Sequence, residues 1–179
     1  GVPAGISGGS HFNDLFYDPI AWLDAGKVDY LAPQVYWKIT GPQDYIKLTQ
    51  WWNDQVKTRN KQLYLSQAYY KMDDGNNFPS SEMQNQIIHN RSATMDAAFG
   101  QIAYSYAAIK NNSKSINTNL LAAEYKYQSF APPIPGKDAI CPNPPANITK
   151  TGTALTWSTP AAASDGDLPV KYVVYAFNN

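Results

Sequence analysis

The chain has 179 residues, and its 14 Lys and Arg balance 14 Asp and Glu, so its charge gives no pull toward nucleic acid or an anionic membrane. Apolar residues make up 44% of it, enough for a real core, yet no uninterrupted run approaches the roughly 18 to 20 residues that cross a bilayer. One cysteine, Cys141, with only His11 and His89 beside it, excludes an internal disulfide and the spacing of a structural zinc site, and no cofactor is expected.

Val2 to Ile6 is a short apolar run that predicts a strand, followed by the polar loop Ser7 to Ser10. Asp18-Pro19 opens a short helix, with Asp18 as cap, Pro19 at the first helical position and Gly26 as the stop. Val28 to Tyr36 predicts a second strand, apolar enough to be covered on both faces, with a bulge or an end at Pro33. Asp44 to Arg59 is the clearest helix, because Tyr45, Leu48, Trp52 and Val56 recur at intervals of three and four.

Gln62 to Tyr70 predicts a third strand and Lys71 to Pro79 a polar loop. Ser80 or Ser81 is expected to cap a helix from Glu82 to about Arg91. Phe99 to Tyr106 predicts a fourth strand, with Ile102, Tyr104 and Tyr106 in alternation, and a last helix is expected from Ser115 to Tyr127. Strand and helix thus alternate four times over residues 1–130, the pattern of parallel strands joined by right-handed crossovers.

The character changes after Phe130. Residues 131–145 are proline-rich and read as a linker, and residues 146–179 lose all helical signal. Asn147 to Thr149, Ala154 to Ser158 and Val170 to Phe177 predict β-strands. A (β/α)8 barrel needs eight βα units and about 250 residues, so residues 1–130 amount to half of one. The expected fold class is therefore α/β, a partial barrel with an all-β C-terminal segment. Its open sheet edges predict self-association, or instability as an isolated monomer.

In a barrel, function lies at the C-terminal ends of the strands. Those positions here hold His11, Gln34, Tyr36, Trp37, Gln67, Tyr70 and Asp73, a set rich in aromatics and amides. Flat aromatic faces pack on the C–H surfaces of sugars, and amides and carboxylates pair with ring hydroxyls, so this rim points to a glycan. Trp51 and Trp52 are adjacent on a helix and read as core packing, and Asp29, at the opposite strand end, as structural.

Glycoside hydrolysis needs two carboxylates about 5 to 10 Å apart. The acids are 12 Asp and only two Glu, Glu82 and Glu124, and both Glu are expected on helices away from the barrel mouth. No catalytic pair is assigned. Essential carboxylates are expected upstream of this sequence. An open doubly wound sheet would fit the alternation too, but no Gly-rich phosphate loop opens any helix.

Asp29-Tyr-Leu-Ala-Pro-Gln-Val-Tyr-Trp37, with Trp22-Leu-Asp-Ala-Gly26 before it and Asp44-Tyr, Trp51-Trp52 and Leu63-Tyr-Leu-Ser-Gln-Ala-Tyr-Tyr70 after it, resembles the C-terminal half of the family-ten-like group of bacterial glycosyl hydrolases. The resemblance covers roughly residues 2 to 130. It implies a barrel acting on a cell-wall or capsular polysaccharide, a secreted, periplasmic or cell-surface location, and substrate contacts by Gln34, Tyr36 and Trp37. The family's Asp-rich strand end has no counterpart in this sequence. Residues 146–179 resemble the first strands of a fibronectin type III domain, with Trp157 and Tyr172 at its core positions. A second reading, from another class, is a carbohydrate-binding or surface-adhesion protein that keeps the scaffold without the acid pair.

Overall fold

The computed structural model describes residues 3–7, 11–137 and 140–175, and the chain divides into two compact units, 1–135 and 136–179. In the first unit the described elements run α1 (His11–Leu15), α2 (Pro19–Asp24), β1 (Tyr30–Leu31), α3 (Tyr45–Lys57), β2 (Gln62–Ala68), α4 (Ser80–Asn90), β3 (Ala98–Tyr104), α5 (Tyr106–Lys110) and α6 (Ile116–Ala122). Single 3-10 turns cover Tyr69–Met72 and Ser113–Ser115.

Helix boundaries follow their local chemistry. Asp18 Oδ1 accepts the Ala21 N–H at 3.0 Å at the start of α2. Gly26 closes that helix at φ +63°, where the Lys27 N–H reaches the Trp22 carbonyl and the Gly26 N–H the Leu23 carbonyl. Asp44 caps α3 through the Lys47 N–H at 3.1 Å. Asn60, also left-handed, closes α3 with the same pair of bonds, Lys61 to Val56 and Asn60 to Lys57.

The three strands of this unit are parallel and lie in chain order, β1-β2-β3. Tyr30 pairs with Gln62 and Leu31 with Leu63, and β2 and β3 run in register from Leu63↔Ala98 to Ala68↔Tyr104 with a bulge at Leu63/Tyr64. β2 is central and buried along almost its whole length, as a doubly covered parallel strand should be. Gly100 lets the Tyr64 ring lie against β3: a Cβ at that position would sit 2.8 Å from Tyr64 Cδ1. Sequential order with helical crossovers is a mixed α/β arrangement consistent with part of a βα barrel.

Two hydrophobic clusters hold the unit together. Leu23, Leu31, Val35, Tyr45, Val56, Leu63 and Leu65 join α2 and α3 to β1 and β2, and Trp52 packs against them while Trp51 meets Trp52 edge-on at 4.7 Å. Tyr69, Met72, Phe78, Met83, Ile87, Ile116 and Leu120 form the second cluster, between the end of β2 and α4 to α6.

Several sequence expectations are corrected. The first strand does not form: Pro3 to Ser7 makes a turn closed by the Ile6 N–H on the Pro3 carbonyl, since Pro3 has no donor for a ladder and Gly5 is left-handed. Val2 and residues 8–10 lie outside the described residues. The parallel sheet consequently has three strands among the described residues. The second strand is two residues long and half open, with Tyr30 50% exposed at the sheet edge. Pairing lapses around Pro33 and resumes as a single bridge, Gln34↔Ser66.

α4 starts at Ser80 after an extended Pro79, so Ser80 and Ser81 lie inside the first turn and no side chain caps it. The third strand stops at Ala68 and passes into the 3-10 turn. The fourth stops at Tyr104; Ser105 is the last extended residue, and Tyr106 with Ala107 and Ala108 begins α5, an element the alternation concealed. The last helix covers only Ile116–Ala122 because Ala123 leaves helical geometry.

In the second unit, β4 (Ala146–Thr151) and β5 (Ala154–Ser158) form an antiparallel hairpin with Thr149 Oγ1 and Thr156 Oγ1 2.6 Å apart across it. The strand expected over 170–177 does not form over 170–175, and residues 176–177 lie outside the described residues. Trp157 and Tyr172 nonetheless bring their rings to 5.1 Å.

α3 and α4 share a polar seam with a pH dependence of its own. Tyr45, fully buried, donates to Asn90 Oδ1 at 3.1 Å, and burial raises its phenol pKa. Thr49 Oγ1 lies 2.9 Å from His89 Nε2, and burial lowers the His89 pKa, against a smaller opposing pull from Asp44. The neutral imidazole is thus the form the fold accommodates. Because the unfolded chain takes up this proton first, stability should be complete above about pH 6.5 and decline as pH falls below it. Denaturant midpoints measured between pH 7.5 and 5 should show this decline, and a His89→Gln chain should flatten it.

Candidate functional site

The C-terminal edge of the parallel sheet gathers three tyrosines. The Gln34↔Ser66 bridge and the Ala68↔Tyr104 pair set the level, so Tyr36, Tyr70 and Tyr104 arrive together from three successive strand ends. Tyr36 stacks on Tyr104 at 5.7 Å and 22° and meets Tyr70 edge-on at 6.0 Å, while Tyr70 meets Tyr104 edge-on at 5.8 Å. The Tyr36 hydroxyl lies 3.1 Å from Ser66 Oγ. Burial raises the Tyr70 pKa, with smaller contributions from Asp74, Tyr36 and Tyr104, so the phenol stays protonated and can donate a hydrogen bond at neutral pH.

The loop that follows Tyr36 is held from beneath. Gln67, fully buried on β2, donates to Gln86 Oε1 at 3.1 Å; Gln86 donates to the Trp37 carbonyl at 3.0 Å and to Glu82 Oε1 at 3.0 Å. The same Glu82 oxygen accepts the Ile39 N–H at 2.8 Å. Lys71 Nζ donates to the Tyr36 carbonyl at 2.6 Å from the other side. Gln67 Oε1 is buried without a hydrogen-bond partner.

Of the residues named from sequence, Tyr36 and Tyr70 lie in the cluster, Gln34 is exposed beside it on the bridge, and Trp37 is 37% exposed at its rim. Gln67 does not reach solvent, so its contribution is to hold the Trp37 segment through Gln86. Asp73 is exposed and accepts from Ser113 Oγ at 2.5 Å, tying the loop to the 3-10 turn there. His11 opens α1, where its ring meets Tyr17 at 6.2 Å and Tyr17 meets Trp22 at 4.7 Å. Among the described residues no aromatic contact joins that run to the tyrosine cluster.

Sequence reasoning placed Glu82 away from the mouth. The structure corrects this, because the first turn of α4 sits at the C-terminal ends of the strands and turns Glu82 onto the backbone of the Trp37–Ile39 loop. Tyr104 was missed through a strand end set two residues late; Ser105 at the N-cap, with Ala107 and Ala108 just beyond Tyr106, was the available clue. Two further carboxylates are engaged, and Glu124, expected on a helix, lies in a turn past α6 beside Arg91. Asp74 accepts from Asn76 N–H and Nδ2 at 2.8 Å each, and Glu124 from Gln84 at 3.3 Å. Among the described residues no group of three or more His, Cys, Asp or Glu side chains converges as a metal site, and no helix is long and apolar enough to cross a membrane.

Residues 2–84 match the model of the family described as Glycosyl hydrolase-like 10. The matched stretch carries Gln34, Tyr36, Trp37, Gln67, Tyr70, Asp73 and Glu82 and supports the glycosyl hydrolase family there, while Gln86 and Tyr104 lie beyond it. Glycosyl hydrolase YngK of Bacillus subtilis is 31% identical over 148 residues, which are 80% of this chain and 28% of that protein. Glycosyl hydrolase DigH of Escherichia coli K12 is 35% identical over 66 residues, 36% of this chain and 15% of that protein; DigH of Shigella flexneri matches equally. The chain's match thus spans 28% of the length of YngK and 15% of that of DigH. No solved structure matches it significantly.

Proposed function

We propose that this chain forms part of a secreted glycoside hydrolase, the C-terminal half of its (β/α)8 barrel, and lines the cleft in which a polysaccharide is held. The observation that carries the reading is the convergence of Tyr36, Tyr70 and Tyr104, with Trp37 at the rim, on the C-terminal edge of a parallel sheet. Tyr36 stacked on Tyr104, with Tyr70 edge-on to both, offers flat faces to sugar C–H surfaces and phenols to ring hydroxyls. The family match over residues 2–84 adds the chemistry to that shape. The cell-wall or capsular class of glycan rests on the resemblance alone. The hairpin of the second unit and its Trp157–Tyr172 contact support the first strands of a fibronectin type III-like module.

One observation favours the binding-only reading for this chain by itself. Asp73, Asp74, Glu82 and Glu124 are each engaged in hydrogen bonds within the first unit. In the hydrolase reading the missing carboxylate comes from sequence outside this chain.

Reducing-sugar release from solubilised bacterial cell-wall glycan, compared between this chain and a protein extended upstream by four βα units, separates the two readings. Release by the longer protein alone supports the hydrolase. Binding by both without release leaves the adhesion reading in its place.

A further inference from the structure

The two glutamates were the obvious candidates for an acid, and the geometry gives one of them a different task. We propose that Glu82 is a positioning residue of the candidate glycan site, setting the place of the Tyr36–Trp37 segment through the backbone of the loop behind it; this rests on the reading of the site given above.

The argument starts from accounting for the loop's polar backbone. A loop that leaves a strand end has no ladder to satisfy its N–H and C=O groups, so other backbone groups, side chains or water must do so; the Lys38 carbonyl, for one, takes the Tyr45 N–H. Here the Ile39 N–H is taken by Glu82 Oε1 at 2.8 Å and the Trp37 carbonyl by Gln86 Nε2 at 3.0 Å. Glu82 and Gln86 are four residues apart on α4, and their own bond of 3.0 Å joins the two anchors into one unit. The Gln67 bond to Gln86 Oε1 then fixes that unit to the central strand. A single carboxylate oxygen therefore accepts twice, from Ile39 and from Gln86.

This double acceptance makes the role testable. An amide oxygen can accept both bonds as a carboxylate oxygen does, so Glu82→Gln keeps the clamp, whereas Glu82→Ala removes it. A catalytic acid would behave in the opposite way, because glutamine cannot release a proton to a leaving group.

The experiment has two arms on the chain as it stands. Hydrogen exchange followed by mass spectrometry reads the Ile39 amide, and titration with solubilised bacterial cell-wall glycan reads the site. Glu82→Ala should lose most of the Ile39 protection and weaken binding roughly tenfold, the scale of a charge-assisted bond that orders the loop. Glu82→Gln should restore both to within about threefold of the parent chain. If Glu82→Ala lowers the melting temperature so far that the arms cannot be read, Gln86→Met, which leaves Glu82 on the Ile39 N–H but removes the Trp37 anchor, the bond to Glu82 and the acceptor of Gln67, should reproduce the loss of affinity.

Lost protection with unchanged binding overturns the proposal, as does a glutamine variant as impaired as the alanine one. If the parent chain binds no glycan, the reading of the site fails, and the exchange arm still decides Glu82's part: full Ile39 protection in Glu82→Ala overturns it, and lost protection restored by glutamine upholds the clamp.

Discussion

An Asn53→Leu chain should unfold with about 3 kcal/mol less stability than its parent, close to the top of the range for a single buried polar deletion. Asn53 is 1% exposed on α3, and its Oδ1 accepts the buried Ala97 N–H at 2.9 Å. Its Nδ2 donates to the Thr94 carbonyl at 3.2 Å and to Asp96 Oδ1 at 3.4 Å. Leucine has nearly the same shape and none of these groups, so the Ala97 N–H would remain buried without an acceptor. Thr94 suffers less, because Gln50 also donates to its carbonyl.

The damage falls on the sheet, since the Ala97 carbonyl receives the Leu63 N–H at 2.8 Å and so helps set β3 on β2. Thermal melting should drop by roughly 6 to 12 °C. The nearby Lys57–Asp96 pair is shorter, 2.6 Å, but 58% and 46% exposed. Lys57→Met should therefore cost no more than about 0.5 kcal/mol. A melt in which Lys57→Met is the more damaging of the two would refute the assignment of this junction to Asn53.

Tyr36→Ala should weaken glycan binding by tenfold or more, and more than Trp37→Ala. Tyr36 touches both other rings of the cluster and Ser66, whereas Trp37 contributes its carbonyl to the clamp and only a rim-exposed ring to the site. Without the central ring, Tyr70 and Tyr104 lose the partner that fixes their orientation. Tyr36→Phe keeps the rings and gives up one hydroxyl contact, so it should fall within about threefold of the parent. Isothermal titration with solubilised cell-wall glycan measures all three; equal effects of phenylalanine and alanine would mean that the hydroxyl, and not the ring, carries binding.

How far the sequence reached differs from one element to the next. α3 was legible to within two residues because Tyr45, Leu48 and Val56 repeat at helical spacing and Asp44 supplies a cap that acts locally. β2 was legible from Leu63, Leu65, Ala68 and Tyr69, although Gln62, Ser66 and Gln67 are buried with them. β1 looked just as apolar, yet it lies at the edge of the described sheet with Tyr30 half exposed. Periodicity reports how apolar a strand is. It does not report whether a neighbour exists to cover it.

The site divides the same way. The residue types at strand ends, and with them Tyr36, Trp37 and Tyr70, follow from a βα alternation that any single stretch of sequence displays. Tyr104 depended on where β3 stops, a choice between strand and helix at Ser105 that is settled by packing of Ala108 against the second core. Gln67 lies on β2 and Gln86 and Glu82 on α4, and nothing in their spacing announces that they hold the Trp37–Ile39 loop.

The sequence by itself determined the Asp18 and Asp44 caps, the helical faces, the parallel α/β class and the aromatic character of the rim, because each depends on interactions between residues a few positions apart. The tertiary structure alone decided which tyrosines share a surface and which glutamate serves the loop, because these depend on the register between strands and on hydrogen bonds that close over thirty or more residues of chain.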